Sequence, residues 1–197
     1  MDVREVMNRK EGYYAGYSPI YDELQKKAKR LCCEYNMTFP EEEEKRIKIL
    51  KELFGTYNPS VFVEPDFRCD YGFNIHFHGF TLLNYNCVIL DTSCVHIGDH
   101  AFIAPGVCIT CAGHAIDSKQ RLEGVGTSKP ITIEDNVWIG ANSVICGGVT
   151  IGKGSVIGAG SVVVNDIPAG VVDVGNPCRV LRTITEADEI NERFIIR

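Results

Sequence analysis

Aliphatic residues in the middle of the chain recur at every sixth position. Ile133, Ile139, Ile145, Ile151, Ile157 and Val163 form one unbroken series. Ile97, Ile103 and Ile109 share its phase, because the 24 residues from Ile109 to Ile133 are a multiple of six. The next position is often glycine (Gly140, Gly152, Gly158), and the position four later is small or β-branched: Val137, Ser143, Val149, Ser155, Ser161. A helix repeats near 3.6 residues and a lone strand alternates with period two, so neither explains a period of six. A short strand plus a corner does. Each face sends an aliphatic side chain inward, and glycine or a small polar residue takes the turn. Stacked coils of this kind give parallel strands around a column of like residues, which is a parallel β-helix. The competing architecture is a β-sandwich with glycine turns, and the length of the in-phase series opposes it.

A weaker series, Val63, Cys69, Ile75, Thr81 and Cys87, lies upstream. It is out of phase with Ile97 by four residues, which predicts a local insertion around residues 86–94. Before it, helical spacing appears in residues 19–55: Tyr21, Leu24, Ala28 and Leu31, then, after Pro40, Ile47, Leu50 and Phe54 as one apolar stripe. Glu41–Glu44 would open the second helix, where the dipole favours negative charge, and Gly55 stands where a left-handed cap would close it. The expected organisation is an N-terminal helical cap over residues 1–58, a β-helix over 59–183 and a tail over 184–197 that fits a short helix or a strand. Cap and tail would cover the open ends of a solenoid, which otherwise invite strand pairing.

The six-residue phase is interrupted once, by the polar, glycine-rich stretch 111–130. Interruptions of this length in a compact domain are functional or disordered. This one begins Gly113-His114 and so places an imidazole, the side chain best suited to proton transfer near neutrality, where the strand leaves the coil. On spacing alone, a general base and a solvated loop histidine are equally open.

Composition narrows the function. Twenty Lys and Arg against 26 Asp and Glu give a net charge of −6, which excludes a general nucleic-acid binder but not a local basic patch for a small anion. No stretch approaches the roughly 18 apolar residues of a membrane span. The charged start MDVREVMNRKEGYY has no apolar core of a signal peptide, so a cytoplasmic chain is expected. Its nine cysteines then read as reduced thiols, mostly small core residues. Cys108-x-x-Cys111 lacks the second pair that a zinc site would need.

Several stretches together resemble the maltose/galactoside O-acetyltransferases. They are YGFNIHFHGFTLLNYNCVILD, VHIGDHAFIAPGV, the Gly-His loop, KPITIEDNVWIGANSVICGGVTIGKGSVIGAGSVVVNDIPAGVV and GNPCRVLR, with LCCEYN and the charged helix after it in the cap. The resemblance implies a left-handed β-helix, a homotrimer, and acetyl-CoA meeting a sugar in the groove between neighbouring subunits, with no metal required. It implies that His114 is the general base, taking a proton from a sugar hydroxyl as the oxygen attacks the acetyl carbonyl. It implies acetyl-CoA contacts at Asn84, Trp138, Ala141, Ala159, Val164, Asn165, Arg179 and Arg182. Asn84 would hold the thioester or the developing oxyanion, and the two arginines would suit the CoA phosphates. Val164 and Asn165 stand where the family commonly has Thr-Lys. The implied sugar contacts are Asp22, Asp70, Asp91 and Thr92, although the spacer around Asp22 is two residues shorter than in typical members. Phe73 lies near them and fits either a sugar face or the core.

A Cys111-centred covalent mechanism needs an adjacent base, and none is implied. Hexapeptide solenoids also include zinc carbonic anhydrases, but the spacing of His76, His78, His96 and His100 does not match that group. His76 and His78 read as alternating strand residues, His96 and His100 as turn-flanking surface, and Lys153 as a solvated corner. A non-enzymatic scaffold would need neither the histidine loop nor the basic pair. Within acyltransferases, another hydroxyl or an amine acceptor stays open.

Overall fold

The computed structural model describes residues 3–16, 18–192 and 195–196. The hexads wind into a three-sided parallel β-helix. The first face stacks Val61–Val63, Thr81–Leu83, Ala101–Ile103, Trp138–Ile139, Val156–Ile157 and Val171–Val174. The second stacks Arg68–Cys69, Val88–Leu90, Cys108–Thr110, Val144–Cys146 and Val162–Val163. The third stacks Ile75–Phe77, Val95–Ile97, Ile131–Ile133 and Thr150–Ile151. Below, the first edge joins the first and second faces, the second edge joins the second and third, and the third edge closes the triangle. This is the parallel β-solenoid that the period of six predicts.

The column follows the aliphatic series. Ile133 lies between Ile97 and Ile151, Ile139 between Ile103 and Ile157, and Ile145 between Ile109 and Val163. All are buried, each contributing about 1.5–3 kcal/mol relative to an exposed position. Glycine beside the column has a packing reason. A Cβ on Gly140 would come within 2.5 Å of the Ala159 nitrogen, so its absence lets one coil sit on the next.

The upstream phase departs from expectation. Phe77 pairs with Ile97, Leu83 with Ile103 and Ile89 with Ile109, while Val63 pairs with Leu83 and Cys69 with Ile89. The column therefore runs Val63, Cys69, Phe77, Leu83, Ile89. Ile75 and Thr81 are also buried, but they pair with Val95 and Ala101, two residues before the column. Each face has two inward positions, and both repeat every six residues, so hydrophobicity alone does not separate them. The predicted single insertion resolves into two short ones, after Cys69 and after Ile89, at the second edge of successive coils. The excursion 111–130 leaves at that same edge.

The N-terminal region supplies α1 (Val3–Met7), β1 (Tyr13–Ala15), α2 (Pro19–Asn36) and α3 (Glu43–Leu53). Proline in the first turn of α2 fits a helix start, where its missing N–H is not needed. Ala28, Leu31, Cys32 and Tyr35 of α2 and Ile49, Leu50 and Leu53 of α3 are buried. Phe54 then packs edge-on against Phe67 at 5.6 Å and Phe77 at 5.0 Å, joining the cap to the first coils. The stripe of α3 differs from expectation: Ile47 is exposed and Ile49 faces inward. Gly55 is not a left-handed cap either. The cap residue is Phe54 in extended conformation, and the Gly55 N–H donates to the Ile75 carbonyl at 3.1 Å. A side chain on Gly55 would collide with the Phe73 carbonyl.

At the other end, Asp173 takes the place beside Ile157 that an aliphatic residue holds in lower coils. It is buried, and its Oδ1 has no hydrogen-bond partner among the described residues. The chain then reverses, and Arg179–Thr183 pairs antiparallel with Val171–Val174. Of the tail, Glu186–Asp188 forms one 3-10 turn; Arg193, Phe194 and Arg197 lie outside the described residues. All nine cysteines are free thiols. Among the described residues no helix is long and apolar enough to cross a membrane.

Candidate active site

The excursion at the second edge is a small structure of its own. Ala112–His114 and Gly126–Ser128 pair antiparallel, joined through α4 (Ser118–Leu122). The Asp117 carboxylate starts α4 by accepting from the Lys119 N–H at 3.1 Å and the Gln120 N–H at 2.9 Å. Strand β1 adds a third member, with Tyr13 opposite Ser128 and Ala15 opposite Gly126. This strand was not foreseen; its three residues are too few to show a period. His114 ends its strand opposite Gly126. Its side chain is exposed and lines a cleft of about 590 Å3 with Tyr13, Tyr14, Gln120, Thr127 and Lys129.

Side-chain hydrogen bonds pin this sheet to the coil beneath. The Tyr13 hydroxyl donates to the Thr92 carbonyl at 2.8 Å. The hydroxyls of Thr92 and Ser128 lie 2.6 Å apart, and Ser128 donates to Ser93 at 2.8 Å. Burial, with Tyr21 beside it, pushes the Tyr13 hydroxyl up to about 12, so it acts as a neutral donor.

Below the sheet lies Asp91, fully buried. Its Oδ1 accepts from the N–H groups of Asp70 at 3.0 Å and Tyr71 at 2.8 Å, and Oδ2 accepts from Asn74 N–H at 3.4 Å. Burial pushes this carboxyl up to about 8 against the pull of the backbone donors, and the neighbouring Asp70 adds to the rise. Both oxygens of Asp91 are directed at the backbone that carries Asp70, and the Thr92 hydroxyl is engaged with Ser128. These two implied sugar contacts thus lie beneath the surface they support. Asp70 itself is partly exposed, its carboxyl raised by burial and lowered by Lys29. Asp22 sits half-buried in the first turn of α2, the helix that brings Tyr21 to Tyr13 and Gln25 to Tyr71. Phe73 is turned elsewhere: the Arg4 guanidinium lies 4.7 Å above its ring, and Tyr71 lies 5.6 Å away.

The residues implied for acetyl-CoA are spread over other parts of the prism. Asn84, Ala141 and Ala159 follow one another up the first edge, where the Gly160 N–H donates to the Ala141 carbonyl at 2.8 Å. Asn84 Oδ1 accepts from the Tyr85 N–H at 2.8 Å. Trp138 stands outward on the first face, 54% exposed, beside Phe102. Val164 and Asn165 are exposed at the top of the second edge. Arg179 and Arg182 lie on the closing antiparallel strand. Arg182 is held by Asp188 through both terminal nitrogens, at 2.6 and 2.8 Å, and Arg179 donates to the Cys178 carbonyl at 2.7 Å. One chain therefore does not bring His114 and Asn84 to the same edge.

The other histidines form a ladder on the third face. The rings of His76 and His96 stack at 4.9 Å, and His78 Nε2 lies 3.1 Å from His96 Nδ1. His96 is thus a strand residue, in Val95–Ile97, not a turn-flanking one. His100 pairs with Asp99 at 2.8 Å, and Lys153 pairs with Asp135 at 3.3 Å. Among the described residues no group of three His, Cys, Asp or Glu is placed to hold a metal ion. Cys111 is buried and its thiol is pushed well up, which leaves it a poor nucleophile.

Residues 7–58 match the family model for the maltose acetyltransferase hexapeptide capping motif, and residues 130–165 match that for the bacterial transferase hexapeptide (six repeats). Galactoside O-acetyltransferase of Escherichia coli K12 is 46% identical over 83% of this chain and 80% of its own. The crystal structure of a maltose O-acetyltransferase from Clostridium difficile 630 superposes with a TM-score of 0.86 at 44% identity, covering 94% of this chain and 99% of that one. A galactoside acetyltransferase in complex with coenzyme A superposes with a TM-score of 0.88 at 41% identity, covering 95% and 94%.

Proposed function

The chain belongs to the galactoside/maltose O-acetyltransferase family and is an acetyl-CoA acetyltransferase; from that premise we propose that its acceptor is a hydroxyl of a sugar and that His114 is the general base. The observation that carries this is the presentation of His114 by an antiparallel sheet into a cleft beside the cap. The imidazole accepts the proton of the acceptor hydroxyl as its oxygen attacks the acetyl carbonyl. The C–S bond then breaks, and the same proton passes to the departing CoA sulfur. A base so placed supplies about 10²–10⁴ in rate, and holding both substrates in one groove supplies more. Asp22 and Asp70 are the acceptor contacts, suited to hydroxyl donors, with Asp91 and Thr92 supporting them from below.

The acting unit in this proposal is a homotrimer. His114 and Asn84 occupy different edges of one chain, so a site using both takes the first edge from one copy and the second from its neighbour. Exposed apolar side chains support such packing: Ile116, lining the cleft, is 96% exposed, and Leu122 at the end of α4 is 90% exposed. Acetyl-CoA then runs along the first edge past Asn84, Ala141 and Ala159, beside Trp138, with Val164, Asn165, Arg179 and Arg182 toward its nucleotide end. The test is release of CoA thiol from acetyl-CoA in the presence of glucose, maltose, a β-galactoside or an amino sugar. Sugar-dependent release with O-acetylated product is expected; release with amine acceptors alone, or with none, would overturn the sugar assignment.

A further inference from the structure

Two cysteines that the proposed chemistry leaves unused face each other across the join between cap and coil. Cys32 projects from α2 and Cys69 from the second strand of the first coil, with their sulfurs 3.6 Å apart. Both are buried. We propose that Cys32 and Cys69 are a peroxide-oxidisable thiol pair whose disulfide staples the helical cap to the β-helix.

The pair differs from the other thiols. Burial pushes Cys87, Cys94, Cys108, Cys111, Cys146 and Cys178 up. The hydrogen bond with Cys69 instead pulls Cys32 down, helped by the charge of Arg68, while that same bond and burial raise Cys69. A thiol held below its ordinary range next to one held above it, with the two sulfurs in contact, fits an attacking and a resolving cysteine. The Cys32 sulfur attacks one oxygen of hydrogen peroxide, the O–O bond breaks, and water leaves, giving the sulfenic acid at Cys32. The Cys69 sulfur then attacks the Cys32 sulfur. An S–S bond forms, the S–O bond breaks, and a second water leaves with the Cys69 proton. Two thiols lose two electrons to one peroxide. The closure moves the sulfurs by roughly 1.5 Å, to a bond of about 2.05 Å, and joins residues 37 positions apart, so it restrains the cap against detachment.

The test exposes the folded full chain to hydrogen peroxide, blocks remaining thiols, and maps the peptides without reductant. The expected product links Cys32 to Cys69, in wild type and equally in Cys33→Ser, which removes the exposed neighbouring thiol. Amide exchange in α2 is expected to slow about tenfold on oxidation and to recover with dithiothreitol. In Cys69→Ser, a dimedone probe should label Cys32, which it does not label in wild type. Recovery of Cys32 and Cys69 as blocked thiols while Cys33 is oxidised would overturn the proposal. So would a link whose formation leaves α2 exchange unchanged. The Cys33→Ser result decides even if Cys69→Ser does not fold.

Discussion

Along the first edge, Asn84, Ala104, Gly140 and Gly158 succeed one another, each N–H donating to a carbonyl one coil on at 2.7–2.9 Å. Along the second edge, the same coils carry two short insertions and then the excursion with His114, and side-chain bonds are added to backbone ones such as Cys111 N–H to the Leu90 carbonyl at 3.0 Å. Asp91 holds the Asp70–Asn74 corner; Tyr13, Thr92, Ser93 and Ser128 hold the excursion. A backbone ladder can repeat without limit but offers only peptide groups to a ligand. Relaxing it at one edge admits an imidazole, carboxylates and hydroxyls, at the cost of needing buried polar partners to fix them.

The sharpest way to probe this contrast is His114→Ala. It should lower kcat by about 10²–10⁴ while circular dichroism and thermal unfolding match wild type, because nothing in the column depends on the imidazole. A loss of fold would show that the two edges are not separable. Ile145→Ala acts on the shared column instead. A cost of about 2–5 kcal/mol in denaturant unfolding is expected; a smaller one would mean that the coils slide to fill the gap. Gly140→Ala attacks the regular edge alone, forcing a Cβ against the Ala159 backbone. The expected cost is about 1–3 kcal/mol, with the His114 cleft intact by crystallography.

The gentlest comparison uses pH. Burial lowers the His76 imidazole on the regular third face from 6.5 to about 4. The folded state then binds fewer protons than the unfolded one in that interval, so stability is full above pH 6.5 and falls as pH drops toward 4. Asp91 under the irregular edge is raised from 3.8 to about 8, so the folded state binds more protons there and stability falls as pH rises through that interval. Urea unfolding across pH should therefore show His76→Gln diverging from wild type only on the acid side, and Asp91→Asn gaining on wild type toward alkaline pH. Parallel curves for either variant would refute its assignment.

The regular part of the molecule was legible from residues 97 to 163, because one aliphatic series with unchanging spacing admits one winding. Upstream, the column passes through Phe77 and not Ile75; both side chains are inward, and sequence gives no way to rank them. The excursion was legible as a break, and the resemblance pointed to His114 within it. What holds the excursion was not legible. Tyr13 is 79 residues from the carbonyl it binds, and a three-residue strand carries no periodic signal. The resemblance implies Asp91 as a sugar contact, and a carboxylate in a corner looks the same in sequence whether it faces solvent or backbone. The Cys32–Cys69 approach was likewise invisible, since only the packing of α2 on the first coil brings the two together.

A stack whose layers all resemble one another has no built-in length, and copies of it would be expected to join tip to tip into filaments. Asp173 puts a carboxyl where the next aliphatic rung would sit, and the reversed strand Arg179–Thr183 presents the wrong polarity to any incoming coil. The molecule thus carries its own terminator at this end, which blocks growth along the axis and keeps a fibre-forming motif discrete.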